Sequence, residues 1–160
     1  MPILTEDMQR VVRDHGPAFV ATVCPDGTPN VSPKGTTMVW DDEHLVFVDL
    51  RSPQTIANLR QNPAVEINVV DTITRTGYRF KGQATVHTEG ARFDEVVAFY
   101  ERERGLSPSR VLGVAIVTVS RAAPLISPAY DISDRGEIVA LNMRRFERTY
   151  GVRIIDPAGD

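Results

Sequence analysis

"FVATVCPDGTPNVSPKGTTMVW", residues 19–40, opens with an apolar run that reads as a strand, turns at "PDGT", and carries "SPKG" within the returning arm. Proline donates no ladder hydrogen bond and glycine offers a strand no packing surface. Both therefore belong at an edge, at a bulge, or where something approaches the backbone. Strand alternation puts Asn30, Ser32 and Lys34 on one face and Val31, Pro33 and Gly35 on the other. Polar side chains and exposed backbone converge there. Two readings follow: an edge strand guarded against aggregation by its lysine and proline, or a strand with a ligand lying along it.

The flanking sequence supplies the rest of a β-rich fold. "TEDMQRVVRDHG" predicts a helix capped by Thr5, with Met8, Val11, Val12 and His15 on one face and Gly16 as its stop. "AFVATV" and "LVFVDL" read as strands, the second following the polar turn "DDEH". "SPQTIANLRQNP" predicts a short helix with Ser52 as N-cap and Pro53 at its first position. "AVEINVV" turns Val65, Ile67 and Val69 inward. In "YRFKGQATVH", Tyr78, Phe80, Gly82, Ala84 and Val86 share a face opposite Arg79, Lys81, Gln83, Thr85 and His87. A helix over "RFDEVVAFYERERG", a strand over "VLGVAIVTVS" and a last amphipathic helix on Met143, Phe146 and Tyr150 complete the chain. Short links between successive strands favour antiparallel pairing, and strands of this number with peripheral helices read as a small barrel.

The 160 residues, 42% hydrophobic and 24% charged, predict one domain spanning 1–160. No apolar run spans a bilayer, and the start is acidic where an export signal needs a basic end, which predicts a cytoplasmic protein without a membrane partner. A net charge of -3 argues against nucleic acid. Cys24 is the only cysteine, which excludes an intrachain disulfide and a cysteine zinc site. His15, His44 and His87 are spread over different elements, so no metal site is expected. Phosphate-loop, dinucleotide, zinc-protease and nucleophile-elbow motifs are absent, and "ERERG" at 101–105 reads as a solvated helix end.

A second unusual stretch is "DLRSPQT", residues 49–55, where a strand runs directly into a helix N-terminus. Free N–H groups and the positive end of the helix dipole make such a corner an anion site, and Arg51 adds a charged donor. Plain N-capping by Ser52 is the simpler alternative.

Taken together, "F-V-A-T-V-x-x-D-G-x-P-x-V-x-P", "L-V-F-V-D-L-R-S-P-Q-T-I-A-N-L-R-Q-N-P-A-V" and "G-Y-R-F-K-G-Q-A-T-V" resemble, in order and spacing, the FMN-binding split-barrel family. That family includes pyridoxamine 5'-phosphate oxidase and small FMN-binding proteins, and the resemblance covers roughly residues 4–127. It implies a mainly β fold, an antiparallel split β-barrel with short peripheral α-helices, and a homodimer whose subunits share each flavin site. Carried over by segment, Val31, Ser32, Pro33, Lys34 and Gly35 run beside the isoalloxazine and ribityl chain. Asp49, Leu50, Arg51, Ser52, Gln54 and Thr55 surround the phosphate; beyond the matched residues, Tyr130 is the residue expected to reach the neighbouring flavin across the dimer. Lys34 and Arg51 are the expected phosphate cations, and Lys34 with the Gly35 N–H the expected donors to the reduced ring. The implied function is an FMN-dependent oxidoreductase acting on a small substrate or redox partner; the alternative is a carrier for flavin, the deazaflavin F420 or haem. Gln54 stands where many relatives have a basic residue. "YGVRIIDPAGD" does not match the arginine-rich C-terminal substrate motif of the oxidase.

Overall fold

The computed structural model describes residues 3–155; residues 156–160, the end of the "YGVRIIDPAGD" segment, lie outside the described residues. Seven strands, β1 (Ala18–Val23), β2 (Pro29–Lys34), β3 (Met38–Val39), β4 (His44–Asp49), β5 (Ala64–Asp71), β6 (Thr76–His87) and β7 (Gly113–Ile126), form one antiparallel sheet ordered β2-β1-β5-β6-β7-β4-β3. Strands β2 and β3 are consecutive in sequence yet occupy opposite edges. A link from Lys34 to Met38 reaches about 14 Å at most, whereas seven flat strands would hold their edges about 29 Å apart. The sheet therefore rolls until its two edges face one another without pairing, which makes a split barrel.

The strands obey the predicted alternation. Val65, Ile67 and Val69 of β5 and Phe80 and Ala84 of β6 enter the barrel core with Val20, Leu45, Phe47, Ala115, Val117 and Val119. The continuous apolar run of β4 has a different cause: Leu45 and Phe47 face the barrel, while Val46 and Val48 lie in a second cluster under a helix. That helix is α3 (Ala91–Arg104), which adds Val96, Val97 and Tyr100 and ends on Gly105 with φ 61°, a left-handed position suited to glycine. The register of β6 against β7 shifts between Lys81 and Gly82, and a Cβ on Gly82 would stand 2.1 Å from Thr118 O. Only glycine allows that approach.

Helix α1 (Glu6–Asp14) is capped by Thr5, whose Oγ1 accepts from Met8 N, and plugs the barrel with Val11 and Val12. It ends at Asp14, before Gly16, and His15 is its extended C-cap rather than a member of its buried face; Pro17 disfavours helical backbone at Gly16, so the helix cannot run on. Helix α2 (Pro53–Gln61) buries Thr55, Ile56, Asn58 and Leu59. Helix α4 (Arg135–Tyr150) buries Ile138 and Asn142, whereas Tyr150 is exposed, so its anchoring face differs from the expected Met143, Phe146 and Tyr150 stripe. The Asn142 amide supplies the difference by donating to Ile73 O at 2.9 Å, a polar anchor that apolar periodicity does not register. Among the described residues no helix is long and apolar enough to cross a membrane.

Candidate functional site

The edge strand β2 pairs only with β1 and turns its polar residues inward. Asn30 and Ser32 are half-buried and Lys34 is only 4% exposed, while Val31 (60% exposed) and Pro33 face out. The Lys34 amine donates to Ser32 Oγ at 2.5 Å and to Ser52 Oγ at 2.8 Å. Among the described residues no carboxylate lies within 4.0 Å of it. Burial holds its pKa below the ordinary lysine value, opposed by the charge of Asp49. A buried ammonium hydrogen-bonded only to neutral hydroxyls, with its nearest compensating carboxylate beyond ion-pair distance, is an incompletely compensated charge, and such groups are normally paired.

Ser52 is where this lysine meets α2. It occupies the N-cap position, but its hydroxyl makes no cap hydrogen bond and instead accepts from Lys34. The plain capping reading is thereby corrected: the hydroxyl is drawn away by a stronger, charged donor. Asp49, 6% exposed, accepts from Ser52 N at 2.5 Å and closes the strand-to-helix corner. Among the described residues nothing accepts from the backbone N–H of Gln54 or Thr55. Arg51 is exposed and makes no hydrogen bond or ion pair within the same set of residues. Cation, free N–H groups and helix end thus face one corner, the arrangement that holds an anion.

A polar seam ties α2 to the edge of the sheet. Asn58, fully buried, donates to Thr22 Oγ1 at 3.0 Å and accepts from Gln54 Nε2 at 2.7 Å. Asn30 donates to the same Thr22 hydroxyl at 3.2 Å, and Cys24, half-buried, accepts weakly from Asn58 at 3.5 Å. Gln54 is therefore occupied along its own helix. Thr55 is buried, and Leu50 packs against the cluster beneath α3.

Beyond Lys34 the chain makes a turn, with Thr37 N and Oγ1 both donating to Lys34 O at 3.3 and 3.1 Å. Arg104 Nη1 donates to Gly35 O at 3.2 Å, and the Tyr100 hydroxyl lies 2.6 Å from Thr36 O and 2.9 Å from Val46 O, so its one proton is shared between two carbonyls. Arg104 is accordingly more than part of a solvated helix end. A cavity of about 90 Å³ opens here, bordered by Lys34, Gly35, Thr37, Arg104, Arg13 and His15. Its rim carries three cationic side chains and no acidic one.

The structure thus joins Ser32, Lys34, Asp49 and Ser52 by direct hydrogen bonds, with Gly35, Arg51, Gln54 and Thr55 beside them in the chain. Val31 and Pro33 are on the other face of β2. Tyr130 belongs to a different region, where its hydroxyl donates to Thr74 O at 2.5 Å. Thr22, Asn58, Tyr100 and Arg104 were not anticipated. A signal existed for Asn58, an amide on the apolar side of an otherwise amphipathic helix; none existed for Arg104, whose role depends on where α3 ends. His44 pairs with Asp41 and His87 with Thr85, and no cluster of metal-binding side chains occurs among the described residues.

The pyridoxamine 5'-phosphate oxidase family model matches residues 4–122. The crystal structure of HupZ from Group A Streptococcus is similar at 32% identity, with a TM-score of 0.68 over 77% of this chain and 94% of that one. An FMN-binding protein from Syntrophomonas wolfei shares the fold at 14% identity, with a TM-score of 0.63 over 76% of this chain and 85% of the other. An F420 reductase does so at 23% identity, with a TM-score of 0.59 over 74% and 98%. No curated protein matches the sequence. With the family's segment matched over both the β2 edge and the α2 corner, this chain belongs to the pyridoxamine 5'-phosphate oxidase family.

Proposed function

We propose that the chain is a cytoplasmic, FMN-binding oxidoreductase that works as a single domain within a homodimer. The observation that carries this reading is the buried Lys34, held by Ser32 and Ser52 with no carboxylate at ion-pair distance among the described residues. A phosphate placed at the corner of α2 meets this ammonium, the Arg51 guanidinium and the free N–H groups of Gln54 and Thr55. The ring then lies along residues 31–35, where a Cβ built on Gly35 meets nothing within 4 Å and leaves room for a flat group. When bound, the flavin supplies hydride and electron transfer to a small substrate or redox partner. The chain's own residues bind it, orient it and direct N–H donors to the edge that gains negative charge.

Within "VLGVAIVTV" the residues Val111, Val114, Ala115, Val117 and Val119 are buried in this chain, which leaves Leu112 there, and Ile126 and Ile132 in "PLISPAYDI", as exposed apolar side chains for a second copy. The outer face of β1 and β2 adds further apolar surface, with Phe19 50% and Val31 60% exposed. A second copy seated there would bring its own Tyr130 toward the flavin.

The test is titration of apoprotein with FMN, which should quench flavin fluorescence at one flavin per chain. Unchanged fluorescence and absorption remove the assignment. Similarity to an F420 reductase favours one second reading, with the deazaflavin as the ligand; a parallel F420 titration saturating well below the FMN concentration would establish it.

A further inference from the structure

The turn over residues 34–37 presents its two sides unequally. Every carbonyl on one side has a donor: Lys34 O takes Thr37 N and Oγ1, Gly35 O takes Arg104, and Thr36 O takes Tyr100. On the other side, among the described residues nothing accepts from the N–H of Gly35 or Thr36. Thr36 Oγ1 fixes the turn to β4 as well, donating to Val48 O and accepting from Val48 N, each at 3.3 Å.

Free central N–H groups are common in turns. The unusual feature is the pinning of the peptide between Gly35 and Thr36, whose flip is what interconverts turn types and which a glycine leaves mobile. A flip would exchange an outward N–H for an outward carbonyl and reverse the partial charge met by a ligand. The Arg104 bond to Gly35 O opposes that flip directly, and Tyr100 fixes the next peptide. Burial pushes the Tyr100 hydroxyl far above the ordinary tyrosine value, which keeps it a donor at any working pH.

We infer that Arg104 and Tyr100 are positioning residues: from behind the turn Arg104 holds the Gly35–Thr36 peptide and Tyr100 the peptide after it, so that the Thr36 N–H stays outward beside the Gly35 N–H, whose own peptide is fixed by Thr37, as a preorganised pair of donors to a ligand edge that becomes more negative on reduction. Neither touches that ligand. The identification of the ligand as flavin rests on the function proposed above; the orientation of the turn does not.

Two measurements separate these. In the ligand-free protein, Arg104→Met should shift the Thr36 and Gly35 amide cross-peaks in a ¹H–¹⁵N spectrum, while Arg104→Lys, which keeps a donor, should return them toward wild type. Arg102→Met serves as control, since Arg102 lies on the same helix over the Phe99 ring and is not bonded to the turn. Unchanged amide peaks in Arg104→Met and Tyr100→Phe overturn the positioning role whether or not flavin binds. In the FMN-loaded protein, the ratio of reduced to oxidised flavin affinity should fall about threefold to tenfold in Arg104→Met, the equivalent of one net hydrogen bond. It appears as a lowered midpoint potential, about 30 mV for tenfold in a two-electron couple. A potential equal to wild type in both variants, with FMN still bound, overturns the inference. Failure of the wild type to bind FMN, with the amide shifts as expected, overturns only the flavin assignment. Should Tyr100→Phe fold poorly, Arg104→Met decides alone, since Arg104 is exposed.

Discussion

Replacing Lys34 with methionine should move binding and stability in opposite directions. The ammonium is buried, contacts only the Ser32 and Ser52 hydroxyls, and has no carboxylate within ion-pair reach among the described residues. In the free protein it therefore bears a desolvation cost that the more distant charge of Asp49 offsets only in part, and methionine fills a similar volume without that cost. With FMN bound as proposed, the same amine would form charge-assisted hydrogen bonds to phosphate, each contributing roughly 1.5 to 3 kcal/mol. Lys34→Met should thus weaken FMN about tenfold to hundredfold and leave the free protein as stable as wild type or more so. The pH dependence has a definite sign. Because burial lowers the folded-state pKa below 10.5, the cost is fully present below that lowered value and is relieved as pH rises from it toward 10.5, where the unfolded chain still holds the proton. Wild-type stability should gain over that window relative to the variant. Urea melts of both apoproteins from neutral to alkaline pH, with parallel fluorescence titrations of FMN, measure every quantity. A variant that unfolds more easily yet binds FMN as well as wild type would refute the reasoning, since Lys34 would then be a structural group.

Arg51→Ala should weaken FMN about tenfold or more while riboflavin, which lacks the phosphate, is little affected; equal losses by fluorescence titration would detach Arg51 from the phosphate. Gly82→Ala should destabilise by about 1–3 kcal/mol or more in denaturant melts, because its Cβ would press on Thr118 O at 2.1 Å. Gly35→Ala should leave the melt unchanged, since nothing lies within 4 Å of the added carbon, yet reduce FMN affinity. Pyridoxine phosphate oxidation in an oxygen-coupled assay should be negligible for the FMN-loaded protein, because "YGVRIIDPAGD" lacks the oxidase's arginine-rich motif; robust pyridoxal phosphate formation would mean the barrel alone suffices.

Alternation along β5 and β6, Pro33 in β2 with Gly35 in the turn that follows it, and the start of α2 were legible because each follows from local rules of period, propensity and turn chemistry. The same alternation also placed Asn30, Ser32 and Lys34 on one face. What those side chains meet was not legible. Ser52 has every attribute of an N-cap, yet a lysine eighteen residues away takes its hydroxyl, and only the tertiary pairing reveals that competition. Likewise "VLGVAIVTVS" reads as a strand without showing what covers its two faces. The roofing of β4 by α3 gives both faces of that region a partner, and sequence carries no direct record of which helix covers which strand.

The link between β2 and β3 has a mechanical consequence. Strands at opposite edges of a rolled sheet, joined only by residues 35–37, make the barrel a hoop with a covalent hinge and an open seam. A flat molecule lying on residues 31–35, with its phosphate on α2, would act as a clasp across that seam. In hydrogen-exchange terms, the amides of β2 and β3 should be among the first of the barrel to open in the empty protein. Their slowing on addition of ligand, by an amount that tracks ligand concentration over Kd, would follow closure of the hoop one amide at a time.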